Sequence, residues 1–209
     1  AKNEVTDLRG RTRMMELVSG NGFAREGYPV RGLFSIPFAG LDEKGIPMFD
    51  INGNITSTDI NFQEREKLDY LKYEGPTITG SFGNVFAYKG FKLNVFMTYS
   101  FGNVVRLNPY FNYKYSDLSA MPREFKNRWT LSGDEAKTNI PAILSNPQYE
   151  ANRTLYKAYN AYNYSTERIA KGDFIRMKEI SLSYEFPKSW ISAAKISNLS
   201  LKLQATNLF

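Results

Sequence analysis

The chain has 209 residues, of which 42% are hydrophobic and 15% aromatic, and it carries a formal charge of +6. It contains no Cys and no His, which excludes disulfides, thiolate metal sites and any Ser–His–Asp or Cys–His mechanism within it. The Lys and Arg residues are scattered rather than clustered, against a nucleic-acid partner. No apolar run of about 18 residues is present to cross a membrane as a helix. A barrel strand needs only about 9–11 residues, with every second one apolar.

In chain order, a long stretch over residues 9–78 comes first. Within it Pro29–Gly40 is apolar and aromatic, with Phe34, Ile36 and Phe38 in alternation. Asp50-Ile51-Asn52-Gly53-Asn54 faintly resembles a calcium loop. Its Gly falls at the fourth position rather than the sixth and no Glu stands at the twelfth, so an Asn-Gly hairpin turn is expected. Glu64–Lys72 has the composition of a short charged helix.

The cleanest two-residue periodicity follows. Thr79–Tyr88 and Phe91–Asn103 flank the dipeptide Lys89-Gly90. A two-residue turn there sets Tyr88 opposite Phe91, Phe86 opposite Leu93 and Phe82 opposite Met97. One face is then large and apolar, built from Phe82, Phe86, Leu93, Val95 and Met97 and interrupted by Asn84. The other carries Lys92 and Asn94, with exceptions at Val85 and Phe96.

A second long stretch, 104–171, holds Tyr-rich segments. Tyr110, Tyr113 and Tyr115, and further on Tyr159 and Tyr162, are candidates to stack on a sugar or to pack on a partner, since tyrosine joins an apolar ring to a polar tip. Self-packing of the loop is the plainer alternative. Asp134-Glu135 is a carboxylate pair, but adjacent carboxylates in a Gly-containing loop are better read as solvated or paired with Arg128 than as glycosidase machinery. No catalytic or metal-binding constellation emerges, no cofactor is implied, and an enzyme is not expected.

Gly172–Phe186 alternates Ile180, Leu182, Tyr184 and Phe186 with Ser181, Ser183 and Glu185. Ile175 and Met177 have the opposite parity, so a β-bulge near Lys178-Glu179 is expected. In Asn198–Phe209, Leu199, Leu201, Leu203 and Ala205 alternate with Ser200, Lys202, Gln204 and Thr206.

These patterns predict an all-β fold: antiparallel strands of a partial transmembrane β-barrel with long extracellular loops, residues 1–209 forming the late part of one barrel domain. Phe91–Phe101 spans about 36 Å, and tilted at about 45° it rises about 25 Å, the height of a barrel's apolar band. Short turns at one end and stretches of about 65–70 residues at the other are a barrel's asymmetry. Tyr88, Phe91, Phe186 and Trp190 fall near the short-turn end, and Tyr99, Phe101 and Phe174 near the long-loop end, as two interfacial girdles. Phe82, Phe86, Leu93, Val95, Met97, Leu182 and Leu201 would face lipid; Lys92, Asn94, Lys202 and Gln204 would face the lumen, or simply a solvated wall. A soluble sheet alternates in the same way, so a soluble or surface-attached β-rich carbohydrate-binding or adhesion module is the competing reading. The two differ in whether the apolar face is covered.

Several segments, in order, resemble the SusC/RagA family of TonB-linked outer-membrane proteins of Bacteroidetes. Glu26-Gly27-Tyr28-Pro29-Val30-Arg31-Gly32-Leu33-Phe34 with Phe38-Ala39-Gly40-Leu41-Asp42 is similar to the family's G-x-P-V-G-x-x-Y…F-x-G-L-D stretch, with Arg31 and Phe34 as departures. Gly45-Ile46-Pro47-Met48-Phe49 and Asp50-Ile51-Asn52-Gly53 follow. The most specific match is Phe86-Ala87-Tyr88-Lys89-Gly90-Phe91 with Thr98-Tyr99-Ser100-Phe101-Gly102-Asn103. Met121-Pro122-Arg123-Glu124-Phe125, Arg128-Trp129, Gly133-Asp134-Glu135, the run Asp173–Tyr184 and Asn207-Leu208-Phe209 complete it.

The resemblance implies a barrel of about 22 strands filled by a plug, in the outer membrane of a bacterial cell. It implies active, TonB-dependent import of nutrients, oligosaccharides or peptides, with a SusD-type lipoprotein over the extracellular mouth. TonB would be reached through an N-terminal region outside these residues. This piece is expected to hold a strand end around Glu4–Leu8 and four further strands short of closure.

Overall fold

A computed structural model describes residues 4–9, 13–19, 24–30, 32–62, 72–74, 78–111 and 121–208. The chain divides into two compact units, Ala1–Gly75 with Val104–Ala170, and Pro76–Asn103 with Lys171–Phe209. In chain order the elements are α1 (Met14–Ser19), β1 (Leu33–Ser35), β2 (Phe38–Leu41), β3 (Pro47–Ile51), β4 (Asn54–Thr56), β5 (Lys72–Glu74), β6 (Ile78–Tyr88), β7 (Phe91–Phe101), β8 (Val104–Arg106), α2 (Asn146–Ala151), α3 (Leu155–Asn163), β9 (Ile169–Lys171), β10 (Phe174–Glu185), α4 (Lys188–Ile191) and β11 (Ser200–Leu208).

The second unit is a four-stranded antiparallel sheet in the order β11-β10-β7-β6. Lys89 (φ 44°) and Gly90 (φ 85°) both take positive φ, as a type I′ turn requires, and Tyr88 pairs with Phe91 as expected. The register then runs straight across the sheet. Phe86, Leu93, Leu182 and Leu203 form one row; Asn84, Val95, Ile180 and Ala205 form the next. Opposite faces alternate, so the rows Ala87–Lys92–Ser183–Lys202 and Val85–Asn94–Ser181–Gln204 stand on the other side.

The expected bulge is present. The β10–β7 register shifts between Met177 and Glu179, so Lys178 is the extra residue. This returns Met177 to the side of Met97 and Ile175 to the side of Tyr99. Phe174, by contrast, stands beside Ser100 and lies on the polar side, so the far aromatic girdle keeps Tyr99 and Phe101 but not Phe174. The exception at Phe96 also has a cause. Phe96 pairs with Gly83, and a Cβ there would meet its ring at 3.1 Å; the aromatic ring covers the bare glycine backbone.

The first unit gives the two long stretches a buried core of their own. Small sheets β1-β5, β2-β3-β4 and β8-β9 surround a buried cluster. It includes Met14, Leu17, Val18, Phe34, Ile36, Phe49, Tyr110, Leu155, Tyr159 and Tyr162. Helix α1 contributes Met14, Leu17 and Val18, with the Arg13 amide donating to the Glu16 carboxylate at 2.7 Å. The expected alternation at Phe34, Ile36 and Phe38 is realised as β1, an isolated parallel bridge between Ile36 and Ser165, and β2. The Asn-Gly turn is realised as well. Asn52 (φ 55°) and Gly53 (φ 84°) close β3 onto β4, and the Gly53 amide donates to the Asp50 carboxylate at 2.7 Å. The strand end expected near Glu4–Leu8 is a single parallel bridge, Val5 to Glu26, outside the large sheet. The helix expected over Glu64–Lys72 falls outside the described residues, apart from Lys72, which opens β5.

Candidate functional site

Two surfaces are built here, the two faces of the large sheet. On the first, Phe82 is 53% exposed, Phe86 58% and Leu201 57%. Leu182 is also exposed; Leu93, Val95 and Met97 are half-buried among their neighbours. No second layer covers this face among the described residues. At about 25 cal/mol per Å², so much bare apolar surface is unfavourable in water.

The second face is polar and internally bonded. Asn94 donates to Glu179 at 3.1 Å, and the Ser181 hydroxyl lies 3.3 Å from the same carboxylate oxygen. The Lys92 ammonium lies 4.0 Å from Glu185. Lys92 and Lys202 flank Ser183, while Asn94 and Gln204 flank Ser181, so all four residues expected on the polar side share it. The outer edges of β6 and β11 have no partner strand among the described residues.

The first unit holds the tyrosines. Tyr110 and Tyr159 are each 3% exposed and Tyr162 is 1% exposed; their rings are turned into the core, and none offers a face to a sugar or a partner in this conformation. Tyr113 and Tyr115 lie outside the described residues. The space lined by Tyr110, Phe111, Phe125, Ile140, Tyr159 and Tyr162 is about 10 Å³, room for about one water and not for a cargo molecule.

Residues not anticipated from sequence organise this core. Asn163 accepts the amides of Tyr110 (2.8 Å) and Phe111 (3.0 Å) and donates to the Phe111 carbonyl at 3.0 Å. Arg168 stacks its guanidinium over Tyr110, 4.0 Å from the ring centroid, faces Glu124 at 3.8 Å and donates to the Asn108 carbonyl. Burial lowers the Arg168 pKa, countered by the Tyr162 and Glu124 side chains, and burial raises that of Tyr162. Arg106 donates to the Phe34 carbonyl at 2.7 Å and stacks on Tyr164. The signal that would have exposed part of this is the i, i+3, i+4, i+7 stripe of Leu155, Ala158, Tyr159 and Tyr162, all buried on α3.

Asp134 and Glu135 tie a loop rather than form a catalytic pair. Asp134 accepts the Leu131 amide (3.0 Å), the Thr130 hydroxyl (3.0 Å) and the Thr130 amide (3.2 Å). Glu135 accepts the Trp129 indole N–H and the Gly133 amide, both at 2.9 Å. These donors lower both carboxylate pKa values, the Leu131 amide first for Asp134 and the Trp129 indole first for Glu135. The cation beside Asp134 is Lys137, at 3.6 Å, whereas Arg128 lies over the Phe125 ring. No three His, Cys, Asp or Glu side chains are grouped to hold a metal among the described residues. No described helix is long and apolar enough to cross a membrane, which says nothing of strands.

A sheet with one bare apolar face, one hydrogen-bonded polar face, a minimal turn at one end and folded loop segments between its strands defines a wall segment of a β-barrel; the barrel is not closed within it. No protein-family model matches the chain. A TonB-dependent receptor of Formosa agariphila is 29% identical over 134 residues, covering 62% of this chain and 12% of the receptor. The RagAB peptide importer in its open-open state aligns with TM-score 0.59 and 23% identity, over 89% of this chain and 19% of that one. A second structure of the RagAB peptide transporter gives TM-score 0.60 at 23% identity, over 88% and 19%. The chain therefore spans about an eighth of the receptor and about a fifth of the importer subunit. The chain is thus similar in sequence to a TonB-dependent receptor and shares its fold with part of the RagAB importer. The similar proteins are a receptor and transporters, not enzymes.

Proposed function

We propose that this chain supplies barrel wall and extracellular loops to an outer-membrane, TonB-dependent active importer. Phe82, Phe86, Leu93, Val95, Met97, Leu182 and Leu201 face lipid, and Lys92, Asn94, Lys202 and Gln204 face the lumen. The unpartnered edges of β6 and β11 accept the neighbouring strands of the complete barrel, which satisfies their backbone groups as a membrane requires. The cargo is a nutrient oligomer, glycan or peptide, delivered with a SusD-type lipoprotein. TonB engages a region outside these residues. The carrying observation is the uncovered apolar face, which a soluble carbohydrate-binding or adhesion module would bury beneath a second layer.

The test is cysteine labelling of the complete receptor in native membranes. A membrane-impermeant thiol reagent, applied to opened outer membranes, is expected to reach cysteines at Asn94 and Gln204 and to spare those at Val95 and Leu182. Equal labelling of both sets would sink the barrel-wall assignment. Energised uptake that is lost on removal of TonB then tests the importer itself.

A further inference from the structure

We infer that the tight-turn end of the large sheet binds the phosphate headgroups of anionic phospholipid. Lys89, Lys188 and Lys195 supply the charge, and Tyr88 and Trp190 act as interfacial anchors. The inference rests on the barrel-wall assignment above.

The observation begins at the Lys89-Gly90 turn. Tyr88 stands on the apolar side of the sheet, opposite Phe91, and is exposed. The Lys89 ammonium is held over the Tyr88 ring, 5.3 Å from its centroid. A cation is thereby held over an aromatic ring at the rim of the apolar face.

The connection between β10 and β11 leaves the sheet at the same end, because Tyr88, Phe91, Tyr184 and Leu201 form one cross-strand row. It begins with α4. There Ile191 tucks in while Trp190 is 68% exposed, and Ile196 is exposed beyond it. Lys195 takes a left-handed conformation (φ 55°) at the end of the turn Ser192–Ala194. From Pro187 to Leu199 the sequence has two lysines and no acidic residue. Glu185, just before this segment in the chain, lies on the polar face 4.0 Å from the Lys92 ammonium, and no carboxylate forms an ion pair with Lys89, Lys188 or Lys195 among the described residues.

The occupant follows from charge and continuity. Three exposed lysines at the tight-turn end call for an anion. The rim continues into a bare apolar face, which calls for acyl chains on the same molecule. An anionic phospholipid offers both; a free phosphate or a nucleic acid lacks the chains. Trp and Tyr with flanking lysines at headgroup depth have the chemistry of such an interface.

The test uses the complete receptor in detergent, titrated with phosphatidylglycerol or phosphatidylcholine of matched chains and read by native mass spectrometry. Wild type is expected to retain phosphatidylglycerol preferentially. Replacing Lys89, Lys188 and Lys195 with Gln should cut that affinity about tenfold, a few-fold per lysine, with phosphatidylcholine unchanged. Trp190→Ala should weaken both lipids. Should the triple variant fail to fold, the three single variants are each expected to lose about twofold to threefold. Equal retention of the two lipids by wild type, or an undiminished preference in the variants, overturns the inference. Displacement of phosphatidylglycerol by millimolar inorganic phosphate also overturns it, by revealing a free-anion site. A receptor that fails to insert into bilayers overturns the barrel-wall assignment instead, so the two failures are told apart.

Discussion

The guanidinium of Arg168 lies 4.0 Å from the centroid of the Tyr110 ring, and both residues are buried. Arg168 thus ties the turn after α3 to a segment about 58 residues earlier in the chain, with Glu124 and the Asn108 carbonyl completing its shell. Arg168→Met should destabilise the first unit by on the order of 2 kcal/mol, since it removes a buried stacked cation together with its bond to the Asn108 carbonyl and its pairing with Glu124. Arg168→Lys should rescue little, because an ammonium cannot reproduce the planar stack and the fork of donors. Limited proteolysis of the complete receptor, read as cleavage in the 104–171 stretch, checks both.

Asn163 is the second tie. Its side chain satisfies three backbone groups of Tyr110 and Phe111. Asn163→Leu removes these three bonds and should cost about 2–3 kcal/mol. Amide exchange at Tyr110 and Phe111 should speed up well before exchange in β6 and β7 does. Unchanged exchange would count against this role.

The Asp134–Glu135 knot predicts a pH dependence. Both pKa values are lowered by hydrogen bonds to the charged form. A carboxylate whose folded pKa is depressed contributes stability that is fully present above its unfolded value, in the ordinary range near pH 4, and is lost as pH falls through the folded value. Amide protection at Thr130 and Leu131 should therefore decline below about pH 4. In Asp134→Asn the decline should flatten. The pair is only partly buried and its partners are local, so the effect stays within the loop.

The two faces of β7 predict opposite tolerance at adjacent positions. Val95→Lys places a charge near the middle of the apolar face and should cost about 2–4 kcal/mol in a bilayer. Asn94→Lys, one residue away, should be nearly neutral. Urea unfolding of the complete receptor in lipid vesicles measures both, and equal costs would contradict the face assignment.

The bulge makes a sharper claim. Deleting Lys178 removes the register shift but leaves Met177 beside Met97 and Ile175 beside Tyr99, because Met177 then precedes Glu179 in unbroken alternation with Ile180 and Leu182. Lys178→Ala keeps the residue count and should assemble normally. Heat-modifiability on gels checks both, with each variant expected to keep the folded form; its loss in the deletion alone would count against Lys178 as the extra residue.

The four long strands and the register of the first hairpin were legible because a two-residue period survives wherever a sheet has unlike faces, and the parity break at Met177 and Ile180 announced the bulge. The first unit was not legible. Its core joins Met14, Phe34, Tyr110 and Tyr162 from separate short elements, none long enough to show a period. Tyr110, Tyr159 and Tyr162 were read as surface-contact candidates because a run of tyrosines looks alike whether it meets a ligand or a core. Only the α3 spacing separates the two, and a nine-residue helix states it once. Phe174 was assigned by its distance from the strand end, whereas its face depends on a pairing that sequence alone does not display.

The long excursion between β7 and β10 also bears on how the wall assembles. The β6–β7 hairpin closes through a two-residue turn, but β10 must find β7 across about 70 residues, at an entropic cost of roughly 4 kcal/mol plus a constant. The excursion is drawn together at its base. The Gly172 amide donates to the Asn103 carbonyl at 2.7 Å, the Leu107 amide to the Arg168 carbonyl at 2.9 Å, and β8 pairs with β9 between them. Once this base and the core of the first unit have formed, the two strands are delivered as near neighbours. The loops then set the order of zippering, and a weakened loop core should show itself first as slow wall assembly rather than as a weaker wall.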